Sequence, residues 1–73
     1  MLITKELVEQ EFDGIYSDEY TGFKDPKAFD EITKKANEAL NKDSFIMNAV
    51  MDYVDNAIRV YANAHPDDLT TED

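Results

Sequence analysis

Glu6, Glu9 and Asp13 follow one another at i, i+3 and i+7. On a helix that spacing stacks three carboxylates along one face, with neighbours about 5 to 6 Å apart. Duplex DNA carries its phosphates at about 3.4 Å per strand along the axis, and farther apart along the strand itself. A row of helical carboxylates can therefore occupy a groove of Lys and Arg built to receive a phosphate backbone. Asp18, Glu19, Asp52, Asp55, Asp67 and Asp68 extend the row if their segments come together. Tyr16, Tyr20 and Phe23 lie beside the first group. Aromatic rings anchor a partner by burial, while carboxylates steer basic partners and raise the on-rate. The candidate contact set is Glu6, Glu9, Asp13, Tyr16, Asp18, Glu19, Tyr20, Phe23, Asp52 and Asp55. The ordinary alternative is a solvated charged face, with the rings closing one end of a core.

Other chemistry has little to stand on. The chain has no cysteine, two glycines and a single histidine, which excludes Cys-His dyads, glycine-rich phosphate loops and multi-histidine metal sites. His65 with Asp67 and Asp68 is a weak cation-binding trio at best, and capping of a helix C-terminus accounts for the histidine. No catalytic, cofactor-binding or metal-ligating residue is assigned, and the expectation is a protein without catalysis. Asp43-Ser44, at the head of a helix in a small acidic helical protein, resembles the phosphopantetheine attachment site of acyl carrier proteins, which read Asp-Ser-Leu. Phe45 stands in place of Leu, the likeness covers three residues, and helix capping explains Asp43 and Ser44. No family is claimed from it.

Charge narrows the partner. Seventeen acids against seven bases give a formal net charge of -10, which argues against direct nucleic-acid binding, since phosphates are held chiefly by Lys and Arg. A charged partner should be basic. Residues 1–23 hold six acids and one base, 24–42 four and five, and 43–73 seven and one, giving -5, +1 and -6. That is uneven enough to suggest an acidic face. A hydrophobic content of 42% exceeds that of a disordered acidic chain, so the protein folds. Charges at Lys5, Glu6 and Glu9 interrupt any signal-peptide pattern, and no run of about 18 uncharged apolar residues exists. The expectation is a cytoplasmic protein with no membrane association.

Three helices must position these groups. The first runs from an N-cap at Thr4 to about Tyr16, with Gly14 near its end. It sets Ile3, Leu7, Val8, Phe12 and Ile15 opposite the acids, and leaves Glu11 among the apolar positions, where its carboxylate must snorkel. Residues 17–24, SDEYTGFK, have turn chemistry and no helical period: a loop or short irregular hairpin. Asp25-Pro26 opens the second helix, whose stripe is Phe29, Ile32, Ala36, Ala39 and Leu40. Asp30 and Lys34, Glu31 and Lys35, and Lys34 and Glu38 are spaced for i,i+4 pairing.

The third helix starts at Asp43 or Ser44, either of which can cap it, carries most of the apolar stretch FIMNAVMDYVDNAIRVYANAH (residues 45–65) and ends before His65-Pro66. Asn48, Asp52, Asp55, Asn56, Arg59 and Asn63 form a narrow polar stripe, and the remaining circumference is apolar. Such a helix is the central element of a core, and at roughly 30 Å it outruns its shorter neighbours. The side bearing Met47, Met51 and Ile58 is the part expected to remain uncovered, and a symmetric homodimer is the simplest way to bury it.

The sequence thus predicts an all-α, small three-helix domain over residues 1–65 with a long central C-terminal helix, followed by a flexible acidic tail, 66–73. The functional expectation is an acidic protein-binding module. In its sharper form it inhibits a nucleic-acid-handling enzyme by occupying the basic groove, as phage and mobile-element proteins of similar size and charge do. The alternative is a non-catalytic structural or adaptor subunit that self-associates or docks through its C-terminal helix.

Overall fold

The computed structural model describes residues 2–17, 19–42 and 50–71. Three helices pack against one another, so the protein is mostly helical: α1 (Lys5–Tyr16), α2 (Ala28–Lys42) and α3 (Val50–Ala64). Thr4 is extended and its hydroxyl accepts the Leu7 amide at 3.3 Å, satisfying one of the first-turn donors of α1. Gly14 lies within α1 and does not terminate it; among the described residues no glycine or other residue has positive φ.

Asp25 closes a turn just ahead of α2, so it is not the cap of the first helical turn and Pro26 is not the first residue of the helix. The Asp25 Oδ1 accepts the Lys27 amide at 2.9 Å and its carbonyl accepts the Ala28 amide at 3.1 Å. The opening turn is tight, so regular helix begins at Ala28, two residues after the proline. The buried row of α2 is Ala28, Ile32, Ala36 and Leu40. Steps of four advance about 40° each around a helix of 3.6 residues per turn, and by the last turn the row has drifted away from Ala39. Ala39 is exposed, contrary to its place in the expected stripe.

In α3 the buried row is Val54, Ile58 and Ala62, again in steps of four, flanked by half-buried Val50, Tyr53, Ala57 and Tyr61. The side bearing Met47, Met51 and Ile58 was expected to stay uncovered; Ile58 is fully buried, because its row faces the seam between α1 and α2, and Met51 is half-buried. The residue left outside is Val60, 59% exposed. The described α3 has 15 residues, the same as α2. The expected start of the helix, at Asp43 or Ser44, lies outside the described residues, as do Ile46, Met47 and Asn48.

Two long-range links close the fold. Asn37 of α2 accepts the Ile3 amide at 2.7 Å and donates to the Ile3 carbonyl at 2.9 Å, clamping the entry to α1 against α2. At the opposite end the chain returns. Pro66–Asp68 forms a 3-10 turn and Leu69–Thr70 (β2) pairs antiparallel with Gly22–Phe23 (β1), in register Gly22 with Thr70 and Phe23 with Leu69. The amides of Thr21 and Lys24 donate to the carbonyls of Thr70 and Asp68 at 2.8 and 2.7 Å. Residues 66–70, expected in a flexible acidic tail, form instead a 3-10 turn and a strand that pairs with the segment between α1 and α2. Leu69 supplies the reason: it is half-buried against the core.

Candidate protein-binding surfaces

Glu6, Glu9 and Asp13 are all exposed on α1, on the side away from buried Val8 and Phe12. Among the described residues the ion pairs are Lys5 with Asp30 at 3.5 Å and Arg59 with Asp55 at 2.8 Å. The one lysine of α1 is thus turned toward α2, and among the described residues no cation engages the carboxylate row. The i,i+4 pairs expected along α2 do not form, and Asp30 meets Lys5 instead of Lys34. Glu11 is half-buried and its carboxylate lies along the helix over Gly14, the snorkelling its position demands.

The other candidate acids belong to other elements. Asp52 and Asp55 sit on the outer stripe of α3, and Asp55 is already engaged by Arg59. Glu19 is exposed in the loop after α1, and Asp18 lies outside the described residues. Tyr16, Tyr20 and Phe23 are half-buried and turned inward. Phe12 is their hub, with ring centroids 5.0 Å from Tyr16, 5.2 Å from Phe23 and 5.4 Å from Phe29, and Tyr16 meets Tyr20 edge-on at 5.6 Å. Tilted and edge-to-face rings at these separations are the favoured geometry. These aromatics close one end of the core and leave only part of each ring for a partner.

A second acidic surface emerges at that same end. The N-terminus of α2, the C-terminus of α3 and the 3-10 turn surround a cleft of about 440 Å³ lined by Asp25, Glu31, Asp67, Asp68, Tyr61 and His65 among others. Its walls carry four carboxylates and no Lys or Arg. Tyr61 stands at its centre, its ring against Phe23 at 5.0 Å and His65 at 4.5 Å. Burial, and then the negative charge of Asp25, Asp68 and Glu31, raise the pKa of its hydroxyl above the ordinary phenol value. Asp25, Glu31 and Tyr61 were not among the residues expected to act together, and His65 was grouped only with Asp67 and Asp68. The lining comes from segments far apart in the chain, and Asp25 and Asp68, 43 positions apart, are joined by an Asp25 amide that donates to the Asp68 carboxylate at 3.4 Å.

The cleft continues along the molecule. Through Glu31, Tyr61, Ala64 and His65 it opens into a groove of about 290 Å³ between α2 and α3, lined further by Ile32, Ala39, Ala57 and Val60. Among the described residues no group of His, Asp and Glu is arranged to hold a metal ion. None of their helices is long and apolar enough to cross a membrane. No protein-family model, curated protein or solved structure matches the chain.

Proposed function

We propose that the protein is a non-catalytic, acidic protein-binding module that presents the α1 carboxylate row to a basic site on another protein. The observation that supports this reading is the state of Glu6, Glu9 and Asp13: exposed, aligned on one helix face, and engaged by no cation among the described residues. Charges neutralised locally steer nothing; these three remain available to a partner. In the sharper form of the proposal the row stands in for a phosphate backbone and blocks the groove of a nucleic-acid-handling enzyme, the context being that of a phage or mobile-element inhibitor. Glu19 widens the charged surface, and the exposed parts of Tyr16 and Tyr20 provide contact area beside it.

The test is capture from the native host on the immobilised chain, followed by challenge. Basic nucleic-acid-binding proteins should be retained at low salt, released as ionic strength rises, and displaced by duplex DNA. Reversal of Glu9 and Asp13 to Lys should abolish their retention without unfolding the chain. Retention that survives this double reversal at low salt rules out the α1 row as the contact.

A second reading, an adaptor that docks or self-associates through its C-terminal helix, is favoured by exposed Val60 on α3. A homodimer formed this way persists in high salt, whereas a complex led by charge does not.

A further inference from the structure

The groove between α2 and α3 does not involve the α1 row, and its two ends differ in chemistry. One end is apolar and shallow. Ala39, Ala57 and Ala64 are small wall residues, Ile32 is buried, Val60 stands exposed, and Tyr53 and Asn56 also line this stretch. The other end passes into the cleft of Asp25, Glu31, Asp67 and Asp68. One base, Lys35, lines the apolar stretch, and none lines the acidic end. At about 290 Å³ and open along its length, the groove is at the low end for enclosing a small molecule, yet suited to side chains laid in from outside.

We propose that this groove receives a short amphipathic helix of a partner protein, with aliphatic side chains on Val60 and Ala57 and a Lys or Arg in the acidic cleft beside Tyr61 and His65. Charge complementarity selects the occupant. An acidic or purely apolar helix leaves four carboxylates facing low-dielectric or like-charged surface, whereas a basic end gives them a cation. The paired rings of Tyr61 and His65 add an aromatic face for a guanidinium. Helix geometry sets the spacing. From Ala57 to Ala64 along α3 is about 10 Å at 1.5 Å per residue, so the partner's base follows its first aliphatic anchor by about two turns. The inference stands apart from the α1 proposal, because the two surfaces use different residues.

A synthetic helical peptide of about 16 residues tests it: an Ala/Gln background with two leucines one turn apart and, on the same face, two arginines beginning about two turns after the first leucine. Titrated into the isotope-labelled full chain, it should shift the amide resonances of Ala57, Val60, Ala64 and His65. Val60→Asp should weaken binding about tenfold or more, because it places a carboxylate under the leucines. Glu31→Gln with Asp67→Asn, both at exposed positions, should weaken the arginine peptide several-fold, and this pair carries the test if Val60→Asp does not fold. Reversal of Glu9 and Asp13 should leave the peptide's affinity within about twofold. A peptide of the same composition with leucines and arginines on opposite faces should not bind the groove. The proposal is overturned if that rearranged peptide binds equally, if the shifts centre on Glu6, Glu9 and Asp13, or if the groove amides do not move. It is also overturned if Val60→Asp converts a dimer of this chain to monomer, since a second copy then fills the groove.

Discussion

Tyr61 joins the aromatic end of the core to the acidic cleft, and its ionisation reports both environments. Burial and three nearby carboxylates oppose a phenolate there, so the folded state holds that proton more tightly than the unfolded chain does. The stabilisation is complete below the ordinary phenol pKa and is lost as pH climbs through the higher pKa of the folded state. In a spectrophotometric titration of the four tyrosines, Tyr61 should ionise at higher pH in the folded protein than in denaturant, and Tyr61→Phe should remove that late step. The variant should also lose less stability than the parent between about pH 9 and pH 11, as measured by urea unfolding. Little of this was legible in the sequence. Tyr61 occupies one of many apolar positions on a nearly all-apolar helix, and its charged neighbours arrive from residues 25 and 31 through tertiary contact. Asn37 was hidden for the same reason, since its partners at Ile3 lie 34 positions away.

Local chemistry announced most of the elements and misplaced their returns. The Thr4 cap and the stop at His65-Pro66 depend on groups within a few residues of the backbone they affect and appear where their types predict, while Asp25 and Pro26 mark the entry to α2 but form the turn ahead of it. Pairing of β1 with β2 depends on residues nearly fifty positions apart, and a Leu-Thr pair in a polar stretch carries no periodicity to reveal it. The seam of α3 was misassigned around Ile58 because an almost wholly apolar circumference does not say which row faces inward; packing against two neighbours decides it. The β1–β2 clamp rests on Leu69, whose contact with the core holds the carbonyls of Asp68 and Thr70 against the amides of Lys24 and Thr21. Leu69→Ser should therefore release those two amides to rapid hydrogen exchange while the central amides of α2 and α3 keep their protection. Equal loss of protection in all three places would mean that the clamp and the helices open as one unit.

At the scale of the molecule, a net charge of -10 over 73 residues works against compactness, and the placement of the acids shows where that repulsion is concentrated. On α2 acids and bases are nearly balanced, whereas α1 places Glu9 and Asp13 one turn apart with like charge and puts Asp13 in its last turn, where the helix dipole is also negative. An acid at position 13 thus opposes both its neighbour and its own helix. Asp13→Lys changes the net charge from -10 to -8, since one negative charge is removed and one positive charge added. It also creates a Glu9-to-Lys pair in the favourable i,i+4 order and sets a cation at the helix C-terminus. The variant should gain from a few tenths to about 1 kcal/mol in denaturant unfolding at low salt, and the gain should shrink as salt is added. The same substitution should weaken capture of a basic partner. A row kept only for solubility predicts the stability gain with binding intact, so measuring both on one variant separates a charged surface that acts from one that merely solvates.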